Sequence, residues 1–471
     1  MATHTATSHT ANAYLLFWAG QVVSLLGSNI VQFVIIWWIV VTYLNPIYLA
    51  VAYLLGIGVQ VVFMPIAGVF VDRWNRKWIL GVSDGFQALG AIGLIGLFLF
   101  RNILTGLQLY WGVVYVITLR GITASFHAPA ADAIIPLMVP RSYLNRLNGV
   151  KFFFVGAVNI LGPALGAIFY ELAPIEVIIW VDVVTFLMAI IPLYFIIIPE
   201  PPPNGNQVHD KIGFSAVIHE FQEGIHILRS NDGLLPLLLV FTAITLLQIP
   251  IAVLGPIFVY STHSGTVTDL AFVVILSQVG MLISGVFLLV KKDWNKKSTA
   301  IVLAFYFQLL GYFIQVITPL GVFWWMGIGA LVFGSMIPIV DSTFRTILQT
   351  TVPPDLQGRV SAIAASVAGA TLPFGMLASG PLAEIFGTVN LFLLAIFASF
   401  IVITLAWLFT GLSNLDKTIS WEPEAPLPTA AGHSPSIKSE LKRSISEISG
   451  SGIGQPMMGF TKLDEDLKTG E

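Results

Sequence analysis

The chain has 471 residues, 56% of them apolar and only 10% charged, whereas a soluble globular protein carries roughly a quarter charged residues. An ordinary soluble enzyme is excluded, a net charge of −3 leaves no basic field for nucleic acid, and a cysteine count of 0 removes disulfides, thiol nucleophiles and Cys-ligated metal centres. A bilayer-spanning helix needs about 20 mostly apolar residues, so the apolar content suffices for about a dozen, and the class that fits is an all-α polytopic membrane protein.

Residues 1–12 are polar and contain no Lys or Arg. The apolar run after them has no small-residue cleavage site at signal-peptide distance, so it is expected to stay as a first helix. Apolar segments then recur at 13–42, 46–71, 79–100, 108–137, 147–170, 175–198, 234–261, 266–290, 298–319, 321–348, 358–385 and 388–411. They are longer and more continuously apolar than the alternating segments of a transmembrane barrel, which predicts twelve transmembrane helices. The polar stretch 199–233 opens with PEPPPNGNQ and divides six helices from six. Within it Phe214, Val217, Ile218, Phe221, Ile225 and Leu228 recur at helical spacing, which fits either a helix lying in the membrane interface or one packed on the bundle. Beyond 411 the chain turns polar and rich in Ser and Pro, the composition of a mostly disordered tail. One patch there, Ile437, Leu441, Ile445 and Ile448 among Lys438, Lys442 and Arg443, has the pattern of a surface-bound helix. The expected organisation is an N-terminus (1–12), a six-helix bundle (13–198), a linker (199–233), a second six-helix bundle (234–411) and a tail (412–471).

If both termini are cytoplasmic, every Lys and Arg except Arg101 and Arg120 falls in an inner loop or the tail, the asymmetry that the positive-inside rule expects. The two halves also repeat each other. DRWNRK at 72–77 echoes KDWNKK at 292–297, and Val139-Pro140 with Arg146 echoes Val352-Pro353 with Arg359. A duplicated six-helix unit predicts two pseudo-symmetric bundles, with a cavity at their interface exposed alternately to each side.

Ionisable groups inside spans are functional candidates, because hydrocarbon penalises charge unless it faces a cavity or a partner. They are Asp84, Arg120, His127, Asp132, Asp182, Asp341, Arg345 and Glu384. Asp341 and Arg345, four residues apart, read as a structural ion pair near the inner surface, Glu384 as a solvated helix end, and Asp132 as a loop anchor. Arg120 lies near the middle of helix 4 with Thr123 and His127 on its face, and Asp182 is the best carboxylate partner in the same unit. Such a pair either braces the bundle permanently or responds to substrate by taking up or releasing a proton. Helix 1 carries Gln21, Ser24, Ser28 and Gln32 as a polar stripe. With the aromatic content it suggests a largely apolar pocket suited to lipophilic or amphipathic compounds. GVSDG at 81–85 matches a nucleophile-elbow pattern and SGSGIG at 449–454 a glycine-rich loop, but neither has the strand and helix that the chemistry needs. No enzyme activity, cofactor or metal site is expected, and without a Walker lysine motif the driving force should be an ion gradient.

Several segments resemble a known family. GVFVDRWNRK at 68–77 is similar to the loop signature of the major facilitator superfamily, and GAVNILGPALG at 156–166 resembles the fifth-helix signature of its antiporter branch. WAGQVVSLLGSNIVQ, LRGITASFHAPAADAIIPLMVP, WVDVVTF, EFQEGIHILRSNDGL and PPDLQGRV together resemble the macrolide-efflux branch of the drug:proton antiporters. The resemblance implies a secondary transporter of the cell membrane that exports small molecules in exchange for protons and works as a monomer. An uptake symporter of the same fold and a non-transporting sensor are the alternatives. It also implies that Gly68, Asp72, Arg73, Arg76 and Lys77 latch the outward-facing state, with Asp72 as the central anion; the charges otherwise serve topology alone. Gly156, Gly162, Pro163 and Gly166 then supply a bend in helix 5 or tight packing. Proton coupling is implied by resemblance only, since helix 1 contains no acidic residue.

Overall fold

The structure is a computed structural model that describes residues 8–140, 143–196, 233–291 and 294–418, with the single positions 198, 225, 228 and 229. Twelve of the described helices are long and apolar enough to cross a membrane. They are α1 (Ser8–Tyr43), α2 (Pro46–Arg73), α3 (Arg76–Leu99), α4 (Gly106–Met138), α5 (Leu144–Leu172), α6 (Ile175–Phe195), α7 (Leu234–Thr262), α8 (Val267–Val290), α9 (Lys297–Val316), α10 (Phe323–Thr351), α11 (Pro354–Phe386) and α12 (Thr388–Phe409). Every predicted terminus falls within three residues of the observed helix end except the starts of α1 and α11, which lie five and four residues earlier than expected.

Polar side chains placed in the short connections set where helices begin. Asn45 accepts from the Ile47 N–H and is followed by Pro46 at the first helical position of α2, where a missing N–H costs nothing. Asn75 accepts from the N–H groups of Lys77 and Trp78 and so starts α3. Thr105 with Gln108 and Thr266 with Asp269 form capping boxes at α4 and α8. Gly387 turns the chain between α11 and α12 at a φ of 77°, a conformation that a side chain would strain. Helix α2 is irregular, with a π-helical turn over Leu54–Gly58.

Helix α1 packs along α5 and α6, α3 along α4 and α6, and α2 against α4; in the second half α10 packs on α8 and α9, and α7 on α11 and α12. The halves meet where α2 lies against α11 and α5 against α8. The buried side chains show how this joint is made. One cluster, including Trp37, Tyr110, Phe258, Leu270, Met376 and Phe392, draws on both halves. At the opposite end, which carries the basic loop 72–77, the cores are separate. Tyr14, Phe17, Leu80, Ile134 and Leu193 belong to the first half, and Leu237, Phe305, Ile347 and Ile403 to the second. The molecule is thus joined at one end and parted at the basic end.

Of the linker, Ile225, Leu228 and Arg229 are helical and Leu228 is buried in the core of the second half, so at that residue the chain packs on the bundle. The tail departs from expectation at its start. Gly411–Asn414 forms a 3-10 turn and Leu415–Thr418 a short helical turn, burying Leu412 and Leu415. The reason is a specific anchor: the Asp416 carboxylate accepts from both the backbone N–H and the hydroxyl of Ser298 at the start of α9. The patch 437–448 lies outside the described residues.

Candidate functional site

Close helix approach builds the site. An added Cβ on Gly27 would sit 2.0 Å from the Thr185 Oγ1 atom, so only glycine lets α1 lie this near α6. That approach brings Ser28, the next residue, to Asp182, whose Oδ1 accepts from the Ser28 hydroxyl at 2.8 Å. Gly90 on α3 leaves room for the stem of Arg120, since a Cβ there would meet its Cγ at 2.9 Å. Arg120 therefore crosses from α4 toward α6, and its Nη2 lies 2.6 Å from Asp182 Oδ2. No N–H is aligned on that oxygen, so the pair is held by charge and proximity. Asp182 is 0% exposed. Gln87 completes the cage, accepting from Arg120 Nε at 2.9 Å and donating to the Arg120 carbonyl at 2.9 Å.

One helical turn and more toward the basic end lies a second carboxylate. Asp84 on α3, 1% exposed, has its Oδ1 3.1 Å from His127 Nε2, near enough for an ion pair though not aligned as a hydrogen bond, and accepts at Oδ2 from the Gln21 amide, also at 3.1 Å. Sequence reasoning named Asp84 only as one ionisable group in a span and missed this pairing. The signal was there in Asp84, Gln87 and Gly90, which recur every three residues on one face of α3.

Of these groups, Gln21, Ser28, Asp84, Gln87, Arg120 and His127 border a cavity of about 460 Å³, while Asp182 is not part of its wall. Its wall includes Gln21, Ser24, Ser28 and Gln32 of α1 together with Asp84, Gln87, Arg120 and His127, among apolar residues such as Ile35, Ile57, Val155 and Phe186. Thr123 does not line it: its hydroxyl donates to the Arg120 carbonyl on its own helix. The cavity is also not shared between the halves as expected, because every lining residue belongs to α1–α6. Some polar groups of the second half pair with each other. Gln248 donates to Gln308 at 3.1 Å, and the Tyr312 hydroxyl donates to the Gln248 carbonyl.

The cavity extends from Ile39 and Leu94 at its deep end to Tyr14, Asp132 and Lys151 near the basic end. Asp132 and Lys151 pair there at 2.8 Å, so Asp132 anchors α5 to α4 at the cavity mouth rather than a loop. Past the deep end, contacts between the halves shut the path. Trp37 meets Tyr260 edge to face, and Gly380 packs on Ile47. Asn45 donates to Glu384 at 2.8 Å, so Glu384, exposed as expected, also joins the two halves. Asp341 and Arg345 form the expected exposed pair at 3.0 Å.

The basic loop is not closed on itself. Asp72 and Arg73 are exposed, Arg76 is half-buried, and Asp72 has no partner among the described residues. Gly68 faces open space. Lys77 does something unforeseen: its ammonium donates to the carbonyls of Tyr194 and Ile196, capping the end of α6. In the repeat, Lys291 lies 3.8 Å over the Trp294 ring, while 292 and 293 fall outside the described residues. On α5 the small residues serve packing. Gly162 and Gly166 admit Asn29 and Phe33 of α1, Gly156 admits Leu282 of α8, and the helix runs on through Pro163.

Comparison with known proteins adds lineage to this geometry. The family described as Major Facilitator Superfamily matches residues 17–371. Macrolide efflux protein A of Streptococcus pyogenes is 29% identical over 387 residues, covering 81% of this chain and 92% of that protein. A protein of the same name from Enterococcus faecalis is 28% identical over 328 residues, covering 69% and 97%. Among solved structures, a bacterial homologue of the iron transporter ferroportin in its inward-facing state superposes with a TM-score of 0.64 at 14% identity, covering 84% of this chain and 98% of that one.

Proposed function

Because the chain is a member of the Major Facilitator Superfamily, a multi-pass membrane transporter and not an enzyme, we propose that it exports lipophilic or amphipathic small molecules, macrolides among them, by proton antiport. The observation that carries this reading is the cavity. It is apolar over most of its wall, carries a polar and ionisable face on α1, α3 and α4, and is open at one end while the halves are joined at the other. The efflux relatives support the choice of cargo and direction. The basic end is assigned to the cytoplasm with both termini, on the distribution of Lys and Arg, which makes this conformation open to the inside. Residues 13–198 and 234–411 act as the two rocking bodies.

Within this cycle the stripe Gln21, Ser24, Ser28 and Gln32, with Arg120 and His127, forms the path and the coupling face, and Asp182 acts on it through Arg120 and Ser28. Thr123 is left out of it, because its hydroxyl stays on its own helix. Gly68, Asp72, Arg73 and Arg76 form the latch of the outward-facing state; their exposure here fits a latch that is undone when the inside is open. The small residues of α5 provide its packing seam. The chain functions as a monomer. Cells expressing it should retain less radiolabelled erythromycin than controls, and an uncoupler should erase the difference; greater retention would indicate uptake instead. A reporter active only inside the cell should work at Asn204 and fail near Arg101, and the reverse pattern would overturn the orientation.

A further inference from the structure

Two ionisable pairs lie at the cavity, Asp84–His127 lining it with both members and Arg120–Asp182 through Arg120 alone, and their charge arithmetic differs. Arg120 is permanently cationic, so Arg120 with ionised Asp182 sums to zero without any exchangeable proton. Asp84 has only an imidazole beside it. An imidazole can hold or release a proton, so the Asp84–His127 pair carries one negative charge when empty and none when it holds a proton. The Gln21 amide occupies the other Asp84 oxygen but brings no charge. The remaining charges on the wall are Lys151 and Asp132, which neutralise each other at the mouth, and the ionisable phenols are Tyr14 and Tyr53. Among the described residues that line the cavity, Arg120 and Lys151 are the only Lys or Arg side chains, and each is paired with another carboxylate.

Resting on the antiport reading above, we infer that the transported proton sits on the Asp84–His127 pair and that Arg120–Asp182 is a charge-fixed brace. Closing the cavity removes water from its wall, and an uncompensated charge in that setting is costly. The Asp84–His127 site therefore favours passage through the closed state only when it holds its proton, whereas the Arg120–Asp182 pair makes no such demand. Access fits as well. The His127 side chain is 23% exposed and lines the cavity, while both carboxylates are buried. A proton taken up when the cavity faces outward leaves from His127 to water when it faces the basic end, and the net charge of the pair changes from zero to minus one. Gln21 is then a positioning residue, holding the carboxylate toward the imidazole.

Two measurements on the full chain test this assignment. In the first, proton binding by the purified protein in detergent is titrated across the whole pH range in which it stays folded. His127→Gln should bind one proton fewer than the wild type, and Asp182→Asn should bind the same number. In the second, proteoliposomes under an imposed pH gradient are loaded with radiolabelled erythromycin. Wild type and Asp84→Glu should concentrate it, whereas Asp84→Asn and His127→Gln should let it only equilibrate. Gradient-driven accumulation by Asp84→Asn, or a proton lost from Asp182→Asn rather than from His127→Gln, overturns the assignment. Should the wild type itself fail to concentrate erythromycin, the antiport reading falls and the titration alone decides the proton site. Should Asp84→Asn fail to fold, His127→Gln, at a half-exposed position, carries both tests.

Discussion

Asp182 and Arg120 show how a single pair of side chains becomes both a liability and a brace. Each charge is tolerable inside the bundle only because the other is 2.6 Å away. Asp182→Asn strands a guanidinium and Arg120→Gln strands a carboxylate, and removing one partner of a buried pair costs about 3–5 kcal/mol in soluble proteins. Either single change should lower the thermal unfolding midpoint of the purified protein markedly. The double change should recover most of that loss, because no lone charge remains; equal loss in the double mutant would mean that the pair does not hold the helices. These two residues were legible in the sequence because charge within an apolar run stands out on its own. Thr123 was not, because helical spacing gives a face but cannot say whether a hydroxyl points outward or back to its own backbone. The Asp84–His127 pair was hidden for a related reason: it joins α3 to α4 across 43 positions of chain, and periodicity within one helix carries no information about which neighbour it meets.

Helices themselves were read from the sequence almost residue by residue, since in a bilayer the length of an apolar run and the polar residues that end it fix a span with little tertiary help. Where composition stops discriminating, the reading failed. Residues 411–418 are as polar as the tail that follows, yet Asp416 docks on the first turn of α9 and carries Leu412 and Leu415 into the core. An acidic side chain at a helix N-terminus satisfies backbone donors and meets the positive end of the helix dipole. Its removal should cost about 0.5–2 kcal/mol, the range measured for helix caps. A chain ended after Ser420 should therefore keep its thermal stability and its efflux, whereas one ended after Thr410 should lose stability, and Asp416→Ala should reproduce part of that loss. Stability untouched by both the shorter truncation and Asp416→Ala would reduce the contact to a passive one. Loss of efflux on removing only 421–471 would revive the reading of this tail as an output element.

At the scale of the whole molecule, duplication was visible in the echoed loops, but the state of the molecule was not. Sequence repeats describe two equal halves, whereas the structure joins them at one end and parts them at the other. The distinction lies in contacts between α2 and α11 and between the ends of α1 and α7, each made by residues that no repeat singles out. Asn45 and Glu384 bridge the halves at 2.8 Å and Gly380 lies against Ile47, so export requires these contacts to open. The chain has no cysteine of its own, which makes the point testable without background. With Asn45→Cys and Glu384→Cys introduced together, a short bifunctional thiol reagent should link the halves at the closed end and trap the cavity open toward the basic end. Efflux should then stop and return on cleavage of the reagent, while each single cysteine variant should be unaffected by the same treatment. Labelling adds a second readout: a cysteine placed at Val155, on the cavity wall, should remain reactive from the basic side in the linked protein. Continued efflux by the linked protein would show that substrate passes without separation of α2 from α11, and the two halves would then not rock about the cavity.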